Sequence, residues 1–218
     1  EWLRSSKYFA NTPSPIDVNP KEEKINEIRQ RVWCNDEILD WMKSYHINSN
    51  WDMVHAYMLG VIAIVRENEK NISVNSIKAE EIDITDLSIW VRQQGVEKVT
   101  PEAVFRWLQH HIPHEKIEKN TFFECLVKAL EELFRGPCSW AVLNGPLYEM
   151  HTQTFQDWYL GNEEEGKIGF LEQETPLAPS DEIKSLFEEL IGRGYILCIG
   201  TGRGMKEVEV PFKALWWW

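Results

Sequence analysis

The sequence lacks three features that would each place it in a different class of protein: a long apolar run, an excess of basic charge and closely spaced cysteines. A membrane-spanning helix needs about 20 apolar residues, and the longest run, Ala56–Val65, is far shorter. The formal net charge is −12, whereas a nucleic-acid groove needs clustered lysine and arginine. The first residues, Glu1–Arg4, lack the basic and apolar segments of a secretory signal. We therefore expect no membrane association, no signal peptide and no nucleic-acid partner.

Cysteine is scarce and scattered along the chain. Cys34, Cys125, Cys138 and Cys198 form no Cys-x-x-Cys pair, and each stands in an apolar context. This pattern favours buried free thiols over disulfides or metal ligands. Free thiols are typical of a reducing compartment, so the pattern predicts a cytoplasmic protein.

The residues that are present have the balance of an ordinary globular protein, with 43% hydrophobic and 27% charged residues. Tryptophan is the exception, because 11 are present and Trp216, Trp217 and Trp218 end the sequence. Three adjacent indoles with nothing after them to cover them form an apolar surface, which indicates contact with another molecule. The composition leaves the oligomeric state and the role of these three side chains open.

The first two thirds of the chain carry a helical pattern. Residues 1–20 contain three prolines and several small polar residues, which predicts an extended lead-in. From 21 to 150 apolar residues recur at helical spacing, and Thr100-Pro101 has the composition of a helix start. The segment Trp51–Val65 is apolar nearly all round, which predicts a helix at the centre of a bundle. We expect an all-helical domain over 21–150.

The stretch Gly194–Arg203 differs from everything before it. Tyr195–Ile199 is a short apolar run, β-branched in part and followed by two glycines that bracket a threonine. Such a run predicts a buried strand. Helical patterns flank it, from Ser180 to Ile191 and from Lys206 to Leu215. Together these elements predict part of a parallel α/β sheet, and we assign 151–218 to a partial α/β core.

Thr201 is the candidate binding residue, because ligands of such sheets bind beyond the carboxyl ends of the strands. A hydroxyl beside the free amides of a glycine turn and a helix N-terminus can hold a phosphate oxygen. The Gly202 amide would help, and Arg203 supplies a permanent positive charge. The alternative is that Thr201 only caps the following helix. The local sequence favours neither interpretation over the other.

Other groups of reactive side chains have simpler explanations. His110, His111 and His114 include pairs at the spacings of metal ligands on a helix, but imidazoles at the negative end of a helix dipole explain them as well. Glu163–Glu165 is predicted to be a solvated acidic turn. Cys198 lies within the predicted strand, so we expect it to be packed inside a sheet and not to act as a nucleophile. The sequence contains no G-x-S-x-G, Walker or G-x-G-x-x-G motif.

The segment from Pro176 to Phe212 resembles the second motif region of the haloacid-dehalogenase-like hydrolases. The resemblance consists of Pro-Leu-Ala-Pro, an amphipathic helix, then Gly-Tyr-Ile-Leu-Cys-Ile-Gly-Thr-Gly-Arg and a further helix. It implies that Thr201 binds the phosphoryl group under attack. It also implies that the helical domain is an α-helical cap on an incomplete Rossmann-like core. The implied reaction is hydrolysis of a small phosphorylated substrate with Mg²⁺, through an aspartyl-phosphate.

The other motifs of that family are absent from the chain. Its nucleophile and general acid are two aspartates two residues apart, and the nearest approach, Asp17-Val18-Asn19, has asparagine in the second place and no preceding apolar strand. The first motif is expected before Glu1, and the third and fourth motifs, with the lysine and the Mg²⁺ ligands, after Trp218. We therefore expect an inactive internal fragment of a longer enzyme, with no catalytic residue and no metal ligand of its own.

A second function remains open from the sequence. Helix dominates the predicted structure, the final tryptophans are apolar and catalytic groups are missing. These features also predict a non-catalytic helical module that binds a partner protein.

Overall fold

The computed structural model describes residues 22–69, 83–94, 99–162, 167–168, 178–201 and 205–214. Its elements, in chain order, are α1 (Glu22–Trp33), α2 (Glu37–Ser44), α3 (Asn50–Asn68), α4 (Ile84–Gln93), α5 (Pro101–His111), α6 (Lys119–Phe134), a 3-10 turn (Ser139–Ala141), α7 (Pro146–Leu160), β1 (Gly161–Asn162), β2 (Lys167–Ile168), α8 (Ser180–Gly192) and α9 (Met205–Ala214). Four segments with sequence predictions include residues outside the described ranges: the lead-in at 1–20, the acidic turn Glu163–Glu165, the pair Gly202-Arg203 and the tryptophans Trp216–Trp218.

The chain forms two compact units that divide between Thr154 and Phe155. The sequence placed the domain boundary after residue 150, within the same helix. That helix, α7, begins in the first unit and continues past the division.

Helix α3 is the centre of the first unit. It packs against α5 and α6, and its buried positions lie around most of its circumference, from Met53 and Ala56 to Ile62 and Val65. Burial on all sides explains the apolar character of the Trp51–Val65 segment, and the predicted central helix is confirmed. Phe122, Leu126 and Leu130 of α6 belong to the same continuous core, so this unit is a helical bundle closed around α3; these three side chains are fully buried.

Local chemistry sets the starts of the helices. The Thr100 hydroxyl accepts a hydrogen bond from the amide of Ala103 at 3.2 Å, with Pro101 as the first helical residue. Ser49 caps α3 in the same way through the amide of Asp52. Each cap satisfies one backbone donor that the helix leaves without an internal partner. The predicted helix start at Thr100-Pro101 is therefore confirmed.

The predicted α/β core is wrong. The β structure of the described residues is one antiparallel pair, in which Gly161 lies opposite Ile168 and Asn162 opposite Lys167. Residues 195–201 belong to no helix or strand, and the side chains of Tyr195 and Ile196 are 62% and 88% exposed. The described residues therefore contain no parallel sheet and no Rossmann-like core.

The physical reason is that an apolar run specifies burial but not its partner. A strand forms only where neighbouring strands accept and donate its backbone hydrogen bonds and other elements cover its side chains. No described strand lies beside residues 195–199. The prediction for Cys198 fails for the same reason, since its side chain is exposed and not packed inside a sheet.

The helices of the described ranges include none that is both long enough and apolar enough to cross a membrane.

Candidate functional site

Thr201 is the one predicted phosphate-binding residue that the structure describes, since Gly202 and Arg203 fall outside the described residues. Its side chain is exposed. It follows the apolar run 195–199 and precedes α9, which begins at Met205. Residues 202–204 lie outside the described residues, so the phosphate-binding and the helix-capping interpretations of Thr201 both stay predictions.

The segment that leads to Thr201 begins at the C-terminus of α8, which has a regular hydrogen-bonding pattern. The amide of Gly194 donates to the carbonyl of Ile191 at 2.9 Å, and the amide of Tyr195 donates to the carbonyl of Leu190 at 3.0 Å. With Gly194 at a φ of +87°, this is a Schellman motif, in which glycine takes the left-handed position that other residues adopt at a cost. Gly194 therefore ends α8, and the apolar run begins at the next residue, Tyr195.

The second unit exposes an apolar surface around this run. Helix α8 has no buried residue. Among the described residues of this unit, the exposed large apolar side chains are Leu186, Ile191, Tyr195, Ile196, Leu197, Ile199 and Met205. A contiguous sequence of exposed apolar residues is unusual on a monomer and is typical of surfaces that contact other molecules.

His110 and His111 are the last residues of α5, and His114 follows three residues later, which is in keeping with the simpler sequence interpretation. The Nδ1 of His111 lies 2.9 Å from the carbonyl of Trp107, to which it donates, and its ring is 4.5 Å from the indole of that residue. His110 and His114 are exposed. Within the described ranges, no three or more histidine, cysteine or acidic side chains are grouped closely enough to hold a metal ion.

The structure brings together a buried polar cluster that sequence reasoning missed, made of Asp52, His55, Tyr148 and His151, to which the partly exposed Lys119 is bonded. Asp52 is 2% exposed. One of its carboxylate oxygens accepts from the Tyr148 hydroxyl at 2.8 Å, and the other accepts from the Lys119 ammonium at 3.1 Å. This satisfies the buried charge, which would otherwise be costly. Burial and the hydrogen bond to Asp52 raise the pKa of Tyr148.

The two histidines of the buried polar cluster face each other. The Nδ1 atoms of His55 and His151 are 3.2 Å apart, and the Nε2 of His55 lies 3.0 Å from the carbonyl oxygen of Ala141. A carbonyl only accepts, so the Nε2 of neutral His55 carries the proton and its Nδ1 is an acceptor. His151 therefore donates from its Nδ1.

Both imidazoles are held neutral by burial. His55 is 0% and His151 3% exposed. Desolvation is the largest effect at each ring, and lowers the pKa of His55 to about 4 and that of His151 to about 3. Neutral imidazoles can in principle exchange protons with a substrate, but these two have almost no accessible surface. As folded, the pair joins α3 to α7 and does not form an open catalytic site.

Helical spacing explains how this cluster is built. Asp52 and His55 are three residues apart near the start of α3, and Tyr148 and His151 are three residues apart near the start of α7. Side chains at this spacing share one helix face. The Asp-x-x-His and Tyr-x-x-His pairs were the available sequence signal. The signal was too weak to use, because nothing local shows that positions 96 residues apart meet.

Comparison with known proteins gives a fold relationship without a function. The chain matches no protein-family model and no curated protein. It is similar to an X-ray structure of a Northeast Structural Genomics Consortium target, with 26% identity and a TM-score of 0.65. The match covers 93% of this chain and 56% of that one, and the name of the target states no activity. The 218 residues thus correspond to little more than half the length of the solved chain that they resemble.

Proposed function

We propose that this chain forms part of a phosphohydrolase similar to the haloacid-dehalogenase-like hydrolases, in which Thr201 binds the phosphoryl group of a small phosphorylated substrate. The observation that carries the proposal is the local order of elements: α8, the Gly194 helix end, the apolar run, the exposed Thr201 and α9. The sequence of this segment resembles the second motif region of that family, although residues 195–199 form no strand in the structure. The proposal rests on that local order and not on a Rossmann-like core.

In this proposal Thr201 donates its hydroxyl hydrogen to a non-bridging phosphoryl oxygen. The Gly202 amide donates to the same group, and Arg203 offsets its negative charge. Such donors are most effective when they are fixed before the negative charge develops. The first unit, a helical bundle with its own core, would act as the cap that limits access to the substrate.

The bond changes of the reaction require groups from outside these residues. An aspartate oxygen would attack phosphorus while the bond to the substrate oxygen breaks, and water would then displace the aspartate and release phosphate. Mg²⁺ would balance phosphoryl charge, but the described residues offer no group of ligands for it. The similar solved chain is the longer of the two, and we place the nucleophile and the metal ligands in the additional residues of a longer polypeptide. A cytoplasmic location is part of the proposal and accords with four free cysteines.

The test compares the 218-residue chain with a version extended at both ends, using a chromogenic phosphate monoester and Mg²⁺. We expect turnover only from the extended chain, and a loss of about 100-fold in kcat/KM on Thr201→Ala, the order of magnitude for removing one transition-state donor. Thr201→Ser should retain most of the activity. Ser185→Ala, which removes an exposed hydroxyl on α8, is the matched control. Turnover by the short chain, or an undiminished rate in Thr201→Ala, would refute the proposal.

The exposed apolar surface of the second unit favours a second candidate, a non-catalytic module that binds a partner protein. Under this alternative Thr201→Ala changes nothing, whereas Ile196→Asp abolishes association. Vanadate with Mg²⁺ separates the two functions, because a ligand that binds only the folded state raises its stability by mass action. A raised melting temperature in the extended chain, lost on Thr201→Ala, supports the phosphohydrolase. No change in melting temperature supports the module.

A further inference from the structure

The buried histidine pair connects the central helix of the first unit to the helix by which the chain leaves that unit. His55 lies in α3, the central helix of the first unit, and His151 lies in α7, three residues before the division between the units. The Ala141 carbonyl that accepts from His55 belongs to the 3-10 turn that precedes α7. One pair of imidazoles thus joins the start of α7, and the turn leading to it, to the core.

We propose that His55 and His151 form an acid-sensitive latch, in which protonation of the pair releases α7 from α3 and opens the first unit where the chain leaves it.

The latch follows from the number of protons that the pair can hold. The observed contact needs one N–H and one lone pair between two Nδ1 atoms 3.2 Å apart. When both rings are protonated, two N–H groups face each other and their charges repel. A single added proton places a charge among buried groups, including the Phe123 ring at 5.6 Å from the His55 ring, where burial disfavours the charged form.

The surrounding titratable groups give the added charge little compensation. In the described structure the ring of Tyr148 on α7 lies 5.2 Å from the His55 ring, and Asp52 on α3 is bonded to Tyr148 and to Lys119 on α6. Asp52 favours protonation of His55 through space, but this is a smaller influence than desolvation. Its two carboxylate oxygens are already bonded to Lys119 and Tyr148. The ammonium of Lys119 repels a further positive charge, and the neutral hydroxyl of Tyr148 does not attract one.

The pH window follows from the shifted pKa values. In the open or unfolded form each histidine has its ordinary pKa of about 6.5, and in the folded form the values are about 4 and about 3. The open form therefore binds more protons below pH 6.5, and the closed form loses stability from there down to the folded pKa values. Above pH 6.5 the full stability is present. At pH 5 each histidine shifts the equilibrium towards the open form by roughly 30-fold.

Amide hydrogen exchange on the 218-residue chain tests the latch between about pH 7 and pH 4.5, after correction for the intrinsic pH dependence of exchange. We expect protection in residues 146–154 of α7 to fall with acid well before that in α5. The double variant His55→Gln/His151→Asn keeps polar groups at both positions and should lose most of this acid response. The control His110→Gln/His114→Gln changes two exposed histidines and should retain it.

Three outcomes would overturn the latch. The first is an acid response in the double variant equal to that of the wild type. The second is parallel loss of protection in α7 and α5, which would mean that acid unfolds the whole unit without releasing α7. The third applies even if the double variant does not fold: an NMR titration of the wild-type histidine rings that places His55 and His151 near their ordinary pKa of 6.5.

Discussion

The substitution Gly60→Ala tests how closely α3 and α5 pack in the first unit. Gly60 is buried in the middle of α3, where that helix meets α5. A Cβ atom added at Gly60 would lie 2.8 Å from the Cγ1 of Val104 and 3.7 Å from the nearest atoms of Leu108. The second distance is ordinary contact, but the first is well inside the usual separation of 3.5–4.0 Å between carbon atoms. Gly60→Ala therefore has two opposing effects on stability: it raises helix propensity, and it crowds the side chain of Val104.

The magnitudes of the two effects decide the outcome. Alanine in place of glycine inside a helix contributes about 1 kcal/mol of stability. Overpacking of a filled core costs roughly 1–3 kcal/mol, and the contacting side chain is a valine, whose branched Cβ leaves it few rotamers with which to move away. We expect Gly60→Ala to lower the free energy of unfolding by about 1 kcal/mol, the difference between these two ranges.

A double-mutant cycle isolates the contact. In a Val104→Ala background the crowding atom is gone, so Gly60→Ala should then stabilise the protein by about 1 kcal/mol. The two substitutions should thus show a favourable coupling of about 2 kcal/mol in urea unfolding of the four proteins, with similar slopes against urea concentration. Equal stabilisation by Gly60→Ala in both backgrounds would refute the close approach of α3 and α5 at this position.

Two further predictions concern buried and exposed groups. Asp52→Asn removes a buried charge that the Lys119 and Tyr148 side chains satisfy. It should lower the free energy of unfolding by about 2 kcal/mol in chemical denaturation. An unchanged denaturation midpoint would contradict the burial of the Asp52 carboxylate. Cys198 is exposed, whereas Cys138 is 0% exposed and burial raises its pKa to about 12. A disulfide reagent should therefore modify Cys198 rapidly in the native 218-residue chain and Cys138 only after unfolding. Cys198→Ser should remove the fast phase, and slow modification of Cys198 would show that residues 195–199 are covered.

The sequence predicted the helical unit well because its signals are local. The cap at Thr100 depends on residues within one turn, and the central position of α3 follows from apolar side chains on all of its faces. The end of α8 is also set locally, because Gly194 supplies the left-handed position of a Schellman motif. These features need no knowledge of distant parts of the chain.

The conformation of residues 195–199 in the second unit could not be predicted in this way. The apolar run Tyr195–Ile199 has the composition of a buried strand, but a strand exists only with a hydrogen-bonding neighbour, and composition does not identify one. The exposure of Ile196 and Cys198 therefore had to come from the tertiary structure. The assignment of Thr201 to phosphate binding stays a prediction, supported by its place between α8 and α9.

By itself, the sequence determined the helix start at Thr100-Pro101, which helix is central and that Thr201 follows an apolar run between two helical segments. Only the tertiary structure decided which side chains meet across the bundle: the contact of Gly60 with Val104, the satisfied charge of Asp52 and the facing imidazoles of His55 and His151. The difference has a physical cause. Helix formation depends on interactions within a few residues, whereas a buried hydrogen bond between residues 96 apart depends on how whole helices pack.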